Sequence, residues 1–217
     1  MMVRERRFTS DAAHELRSPL TALKVQTEVA QLSDDDPLAR QKALMQLHTG
    51  IDRATRLVDQ LLTLSRLDSL DNLQDVATLS LEELLQSAVM DIWQPAQQAH
   101  IDVRLQINAH NVTRTGQPLL LSLLVRNLLD NAIRYSPKGS VVDVTLDARQ
   151  FTVRDNGPGV TAEVLPHIGE RFYRPPGQHA TGSGLGLSIV RRIAALHGMT
   201  VSFGNAPDGG FTATVRW

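Results

Sequence analysis

Small and apolar residues in the first third of the chain recur at steps of three and four, the period of an α-helix. The first run consists of Phe8, Ala12, Leu16, Leu20, Leu23, Thr27 and Ala30. The second run consists of Leu44, Leu47, Ile51, Ala54, Val58 and Leu61, with Leu57 and Leu64 on one flank. Alternating steps of three and four in the second run match the a/d repeat of a coiled coil. The acidic stretch that ends at Pro37 predicts a turn between the two helices, because acidic side chains and proline favour a new helix start.

Two long helices joined by a short turn predict an antiparallel helical hairpin over residues 1–68. A hairpin with a continuous apolar seam cannot bury that seam alone. We therefore predict a homodimer in which two hairpins form a four-helix bundle. Residues 69–77 lack the repeat and are predicted to be a linker.

The pattern changes over residues 78–217 to short segments that predict a mixed α/β domain. Ser80, with Glu83 three residues later, is a capping box that predicts a helix start. Further helices are predicted near residues 117–135 and 186–197. Strands are predicted near residues 101–107, 141–146, 151–154, 200–204 and 211–217. This alternation favours a sandwich with the helices on one face of a sheet.

Composition excludes several classes of function. The chain of 217 residues has no cysteine, which rules out disulfides, thiolate chemistry and cysteine-held metal clusters. Its 22 basic and 23 acidic side chains argue against a nucleic-acid partner, which would need a marked basic excess. No apolar run approaches the roughly 20 residues needed to cross a bilayer. Because helical patterning begins at once, we expect the sequence to come from a longer protein.

His14 lies on the side of the first predicted helix opposite the stripe that contains Ala12 and Leu16. An exposed histidine is usually an ordinary surface residue. Here Glu15 is adjacent, and a carboxylate can orient an imidazole or accept its proton. Pro19 is predicted to interrupt the helix one turn later, because proline removes a backbone donor. The spacing suggests a nucleophilic histidine without deciding the question.

A second candidate group lies on the helix predicted near residues 117–135. Asn127 and Asn131 are four residues apart on one face, and Arg134 follows almost one turn later. Two carboxamide oxygens suit a hard divalent cation already bound to phosphates, and arginine suits phosphate oxygens. The alternative is a solvated polar face. The leucines of the same helix argue against that alternative; they are Leu120, Leu121, Leu124, Leu128 and Leu129.

Two glycine-containing segments are further candidates. Asp155–Gly159 follows a predicted strand; turn chemistry alone would explain it, yet a carboxylate there can also accept from an exocyclic amine such as adenine N6. Gly182–Leu187 opens a helix and can present backbone N–H groups to phosphate. It lacks the Gly-Lys-Ser/Thr of a P-loop and the preceding strand of a dinucleotide-binding motif. Between them, Glu170–Gly177 is predicted to be a mobile lid.

In this order and spacing, the segments resemble the cytoplasmic portion of bacterial two-component sensor histidine kinases. Phe8–Leu20 resembles the H-box of that family. The segments that resemble its N-, G1-, F- and G2-boxes are Arg126–Tyr135, Asp155–Gly159, Glu170–Gly177 and Gly182–Leu187. The resemblance covers almost the whole chain. It implies a dimeric four-helix bundle followed by an α/β sandwich of the Bergerat, histidine kinase-like ATPase type.

The resemblance also implies an activity. His14 would accept the γ-phosphoryl group of ATP with Glu15 as general base, and the group would pass to an aspartate of a response regulator. Val25, on the His14 face, would contribute to the regulator surface. Asn131 together with Asn127 would hold Mg²⁺. The chain would be cytoplasmic, in a parent protein of the bacterial inner membrane.

The remaining implied residues bind the nucleotide. Arg134 would contact phosphates, Tyr135 would stack near adenine, and Asp155 would bind the adenine amino group. Phe172 and Arg174 would anchor the start of the lid, and Leu185 would also belong to the nucleotide site. The glycines that would shape the pocket and its lid are Gly157, Gly159, Gly182, Gly184 and Gly186.

The chain departs from the family pattern at two positions. Ser18 stands where members with strong phosphatase activity carry Thr or Asn, so phosphatase activity toward the regulator is in question. Arg134 stands where Lys is common and would bind phosphate with a different geometry. Two alternatives remain open: a non-catalytic dimeric scaffold that binds nucleotide, and an ATP hydrolase that activates water instead of histidine.

Overall fold

The computed structural model describes residues 2–33, 35–70, 72–175 and 182–217, with side chains described from residue 10 onward. The chain divides into two compact units, Met1–Ser65 and Arg66–Trp217. The first is helical and the second is an α/β sandwich, as predicted. None of the helices in the described ranges carries an apolar stretch long enough to cross a membrane.

The first unit is built on two long helices, α1 (Met2–Leu32) and α2 (Pro37–Ser69), of which the last turn of α2 belongs to the second unit. Asp36 caps α2, because its Oδ1 accepts the N–H groups of Leu38 at 3.1 Å and Ala39 at 3.0 Å. The turn predicted before Pro37 is therefore confirmed. The predicted interruption at Pro19 is wrong: α1 is one continuous helix from Met2 to Leu32 and contains this proline.

The apolar seam predicted for α2 consists of two rows. Leu57, Leu61 and Leu64 are buried, whereas Leu44, Ile51 and Val58 remain 51%, 53% and 40% exposed. The exposed residues are seven positions apart, so they form one stripe along the helix. Leu20 of the predicted α1 stripe is also 58% exposed. These exposures agree with the expectation that a single hairpin cannot bury its apolar seam alone.

The second unit contains eleven regular elements within the described ranges. They are β1 (Ala77–Ser80), α3 (Leu81–Asp91), α4 (Trp93–Gln98), β2 (Asp102–Ile107), β3 (Thr113–Gly116), α5 (Pro118–Tyr135), β4 (Val141–Leu146), β5 (Gln150–Arg154), α6 (Gly186–Leu196), β6 (Thr200–Asn205) and β7 (Phe211–Arg216). A single turn of 3-10 helix follows β5 at Leu165–His167. The predicted strands and helices are all present, and β1, β3 and α4 are additional. Ser80 caps α3 as predicted, accepting the N–H of Glu83 at 3.3 Å.

Five strands form the main sheet in the order β2-β4-β5-β7-β6. β2 pairs parallel with β4, and the other pairs are antiparallel. β1 and β3 form a separate antiparallel pair. Along β4, Val142, Val144 and Leu146 are buried and alternate with half-buried residues, so one face of the sheet carries the core.

The helices α5 and α6 pack against each other over the core. Leu124, Leu128 and Leu129 of α5 are almost completely buried. His197 also links the two helices: its Nε2 accepts the N–H of Gln117 at 3.0 Å, and its Nδ1 lies 2.8 Å from the Ile193 carbonyl oxygen. An imidazole that accepts at Nε2 and donates at Nδ1 is neutral. The end of α6 is thereby joined to the start of α5.

Truncation of Leu129 to alanine is expected to destabilise the second unit by about 2–5 kcal/mol, because the side chain is fully buried in the core. The matched control is Leu119→Ala on the same helix. Leu119 is 76% exposed, and its truncation is expected to change the free energy of unfolding by about 0.5 kcal/mol or less. Urea unfolding measures both. Equal losses would contradict the assignment of the core face of α5.

Candidate active site

The polar candidates on α5 are held in place by the buried leucines of that helix. Asn127 and Asn131 are half-buried, whereas Arg134 is exposed. The Asn127 side-chain nitrogen donates to the Leu123 carbonyl oxygen at 2.8 Å. Because the nitrogen is engaged within the helix, the carboxamide oxygen is the atom presented to other partners.

The glycine loop before α6 lies beside these side chains. A Cβ atom built on Gly186 would lie 3.1 Å from Asn127 Oδ1, and one on Gly182 would lie 2.8 Å from Arg134 Nη1. The same position on Gly182 is 3.9 Å from Tyr135 Oη. The structure therefore brings the predicted asparagine, arginine and tyrosine together with the loop, and a larger residue at Gly182 would displace Arg134.

The start of the predicted lid is tied to this loop by the backbone. Phe172 donates its N–H to the Gly184 carbonyl oxygen at 3.1 Å. Gly184 has φ +70°, and a Cβ there would lie 2.7 Å from the Phe172 carbonyl carbon. Only glycine accommodates both conditions without strain. Arg174 is exposed, and the end of the predicted lid, Pro176 and Gly177, lies outside the described residues.

The N-terminus of α6 is not capped by its own N-cap residue. Leu185 occupies that position, makes no side-chain cap hydrogen bond, and is fully buried. Its N–H is directed back to Ser183 Oγ at 3.2 Å. The leucine fixes the loop to the core, and the first-turn N–H groups of α6 form a partial positive charge that favours an anion.

Asp155 follows β5 and is buried, with 2% of its surface exposed. Its Oδ1 accepts two backbone N–H groups, from Gly157 at 2.8 Å and Phe211 at 3.0 Å. A Cβ on Gly157 would lie 2.6 Å from the Tyr135 carbonyl oxygen and 2.9 Å from Asp155 Oδ1. Glycine at 157 therefore lets the end of α5 approach the carboxylate closely.

Burial raises the pKa of Asp155 above its ordinary value, because a charged carboxylate loses hydration inside the protein. The N–H groups of Phe211 and Gly157, and the positive charge of Arg154, oppose this shift. A raised pKa at a polar end of a sheet is typical of a functional carboxylate, although structural networks also produce one.

The structure places His14 and Glu15 in the other unit, on α1. His14 is exposed, as expected, and Glu15 is half-buried. The sequence did not indicate two residues that support the Asp155 loop: Phe211, through its backbone N–H, and Asn205, through hydrogen bonds to Val160. Turn composition after Asn205 was the only available signal, and it does not identify a partner 45 positions away.

Each of the two units matches a known protein family. Residues 4–70 match the His Kinase A (phospho-acceptor) domain family. Residues 116–217 match the family of histidine kinase-, DNA gyrase B-, and HSP90-like ATPases. Sensor protein QseC of Salmonella typhi is 87% identical over 217 residues, which is 100% of this chain and 48% of that protein. The chain thus spans about half the length of this relative.

Solved structures show the same similarity. The cytoplasmic segment of histidine kinase QseC is 67% identical, with a TM-score of 0.57 over 77% of this chain and 93% of that chain. Histidine kinase ThkA in complex with response regulator protein TrrA shares the fold, with a TM-score of 0.80 at 20% identity over 98% of this chain and 62% of that chain.

Asp155→Asn is expected to stabilise the ligand-free second unit at neutral pH. Burial raises the folded-state pKa of Asp155, so its contribution to stability is complete below the unfolded-state pKa and is lost as pH rises through the folded-state pKa. Asparagine has no charge to bury and retains the Oδ1 acceptor. The stability difference, variant minus wild type, should therefore rise as pH increases from about 3 to 7, measured by urea unfolding at several pH values.

Asp208→Asn is the matched control, because the pKa of Asp208 is shifted in the opposite direction. The hydrogen bond from Arg154 lowers the pKa of Asp208, so its stabilising contribution is present above the unfolded-state pKa and is lost as pH falls through the folded-state pKa. This variant should be less stable than wild type at neutral pH and equal to it in acid. A pH-independent difference for Asp155→Asn would show that burial does not penalise its charge.

Proposed function

The chain belongs to the sensor histidine kinases of two-component systems, and from that premise we propose that it phosphorylates His14 with ATP and passes the phosphoryl group to a response regulator. The observation that carries this proposal is the presence of both functional parts in one chain. An exposed histidine beside a carboxylate lies on the helical unit, and a glycine loop, an uncapped helix start and a buried carboxylate lie together in the second unit.

Adenine recognition is assigned to the region around Asp155. Its Oδ1 is already engaged by two backbone N–H groups, so Oδ2 is the oxygen that would accept from the adenine amino group. Gly157 and Gly159 let the loop backbone approach the ring, and Tyr135, at the end of α5, would stack near it. A base without that amino group would leave a buried carboxylate unpaired, which disfavours its binding.

Triphosphate binding is assigned to the start of α6 and to Arg134. The N–H groups in the first turn of the helix, together with the loop of Gly182, Gly184 and Gly186, favour a polyanion. Arg134 lies at the edge of this loop and would form charge-assisted hydrogen bonds with phosphate oxygens. Phe172 and Arg174 would anchor the start of the lid.

Magnesium fits the oxygen donors of α5. Asn127 and Asn131 would contribute carboxamide oxygens, and the Asn127 oxygen is the atom directed toward Gly186. When bound, Mg²⁺ neutralises charge on the phosphates during transfer.

Phosphoryl transfer to His14 needs a neutral ring nitrogen and an acceptor for its proton. The nitrogen would form a bond to the γ-phosphorus as the bond to the bridging oxygen of ADP breaks. Glu15, adjacent to His14 and half-buried, would accept the proton that leaves the imidazole. The phosphorus–nitrogen bond then breaks in a second transfer, to a carboxylate oxygen of the regulator.

The regulator would dock on the His14 face of α1. Val25 lies three helical turns beyond His14 on the same face and is 48% exposed. The related fold of ThkA, solved in complex with response regulator TrrA, supports this kind of partner. Ser18 is exposed one turn after His14, and its hydroxyl would position water for a second reaction, phosphatase activity toward the regulator.

A homodimer would cover the exposed row of α2. Leu44, Ile51 and Val58 form an apolar stripe with a seven-residue repeat, the arrangement that associates helices in bundles. The 67% identical solved relative is a cytoplasmic segment, which supports the proposal that this chain is the cytoplasmic portion of a sensor. We further propose that the parent protein lies in the bacterial inner membrane.

Replacing His14 with glutamine should abolish protein phosphorylation while leaving ATP affinity unchanged within about twofold. The phosphate acceptor is lost, but the nucleotide site lies in the other unit. The matched control is His48→Gln, because the His48 side chain is 80% exposed on α2, and this variant should phosphorylate like wild type. Incorporation of labelled phosphate and isothermal titration measure the two properties.

Three outcomes would contradict the assignment. Label retained in His14→Gln would place the acceptor elsewhere. ATP binding without labelling in the wild type would favour the scaffold. Release of free phosphate without protein labelling would favour the hydrolase.

Replacing Ile51 with lysine should weaken dimerisation by about 100-fold or more, because an uncompensated buried charge costs about 3–5 kcal/mol. Gln46→Lys is the matched control. Gln46 is exposed on another face of α2, so the added charge should remain solvated and the dimer intact. Light scattering over a concentration series measures both. Equal dissociation constants would show that the exposed row is not the dimer interface.

A further inference from the structure

The turn between β6 and β7 lies against the loop that carries Asp155. Asp155 donates its backbone N–H to the Phe211 carbonyl oxygen at 2.9 Å, and Phe211 donates its own N–H to Asp155 Oδ1 at 3.0 Å. Gly210 lies so close to the Asp155 carbonyl oxygen that no side chain fits there. The candidate adenine loop therefore depends on a segment far away in sequence for its position.

Asn205, the last residue of β6, contacts the other end of the loop at Val160. Its Oδ1 accepts the N–H of Val160 at 2.9 Å, and its Nδ2 donates to the carbonyl oxygen of Val160 at 2.6 Å. A carboxamide that satisfies both backbone groups of one residue acts as a strand partner would. Val160 is thereby fixed without a further strand.

The pairing of Asn205 with Val160 requires glycine at the preceding position, 159. Gly159 has φ +68°, and a Cβ there would lie 2.8 Å from Asn205 Oδ1 and 3.5 Å from the Gly210 carbonyl oxygen. The left-handed conformation and the close approach both require glycine. The loop thus turns sharply at the point where Asn205 holds it.

Arg154 braces the turn on the side of Asp155. It pairs with Asp208 at 2.6 Å and donates to the Gly209 carbonyl oxygen at 3.2 Å. The loop and the turn are consequently joined at three places: Arg154 with the turn, Asp155 with Phe211, and Val160 with Asn205. Of these, only the Asn205 pairing holds the end of the loop remote from β5.

We propose that Asn205 is a positioning residue for nucleobase recognition: by pairing with both backbone groups of Val160 it holds the Asp155–Val160 loop in the conformation that selects adenine. The inference rests on the proposed function of Asp155. Asn205 does not contact the base. It lowers the conformational entropy that the loop would otherwise lose when the base binds.

The consequence is specific to the base. Phosphate recognition is assigned to the start of α6 and to Arg134, which Asn205 does not touch in the described hydrogen bonds. Loss of the Val160 pairing should therefore weaken binding of adenine nucleotides and leave binding of a polyphosphate unchanged. A general structural role would weaken both ligands together.

The test compares Asn205→Leu with Asn108→Leu. Leucine removes both hydrogen bonds at similar size, and Asn205 is exposed, so the variant is expected to fold. Asn108 is an exposed asparagine of the same unit whose Nδ2 donates to Asp147 Oδ1 at 2.9 Å, away from the candidate site. Melting temperature and circular dichroism establish that both variants fold. Titration with ADP, GDP and inorganic tripolyphosphate, each with Mg²⁺, then measures affinity.

Asn205→Leu should lower ADP affinity by about 10-fold, as expected for two lost hydrogen bonds, and leave tripolyphosphate affinity unchanged within about twofold. Preference for ADP over GDP should fall by the same factor. The Val160 amide should exchange with solvent faster in the ligand-free variant. Asn108→Leu should change none of these values.

Two results would overturn the inference alone. ADP selectivity retained in Asn205→Leu would show that the pairing does not serve base recognition, and equal losses for ADP and tripolyphosphate would show a general structural role. A wild type with no preference for ADP over GDP would instead overturn the proposed adenine site and the inference with it.

Discussion

The proposed nucleotide site depends on one buried carboxylate, Asp155, whose Oδ1 is held by the backbone and whose Oδ2 would accept from the ligand. Burial of Asp155 penalises its charge, as the raised pKa indicates. Two backbone N–H groups offset part of that penalty through Oδ1, and they come from different segments, Gly157 in the loop and Phe211 at the start of β7. Because the sheet order places β7 beside β5, the Phe211 N–H can reach Asp155 and offset part of the cost of burying its charge. A ligand amino group would complete its hydrogen bonding.

This arrangement explains why glycines are concentrated where helices, loop and turn meet. Gly157 admits the end of α5, Gly184 admits the backbone of Phe172, and Gly210 admits the backbone of Asp155. Each position brings two backbone segments closer than a side chain would allow. The same segments surround the candidate nucleotide site. Packing requires glycine at these positions, and the proposed nucleotide site would require it as well, so substitution there is expected to disturb both.

Strong local patterns made much of the fold predictable. β4 has the predicted bounds of 141–146, and α5 begins within one residue of its predicted start, because alternation and leucine spacing are distinct there. β1 and β3 are four residues long and pair only with each other in the described sheets. They are too short to show the alternation of apolar and polar residues by which a strand is predicted. The two apolar rows of α2 look alike in sequence. Only the structure shows that Leu57 is buried while Ile51 is exposed.

The candidate site residues were predictable where they lie close together in the sequence. Asn127, Asn131 and Arg134 follow helical spacing, and Asp155 lies two and four positions before Gly157 and Gly159. Asn205 and the Phe211 amide were not predictable, because their roles arise from strand order and from partners far away in the chain. Long-range hydrogen bonds of this kind leave no periodic trace in a single sequence.

The measurement that tests the central claim most directly is the chemical stability of the phosphorylated wild-type chain. The protein is incubated with γ-labelled ATP and Mg²⁺, and the protein-bound label is then exposed separately to acid and to alkali. A phosphorus–nitrogen bond at His14 predicts label that is lost in acid and retained in alkali. Label that survives acid would indicate a phosphate ester on a hydroxyl group and would contradict histidine phosphorylation as the reaction of this chain.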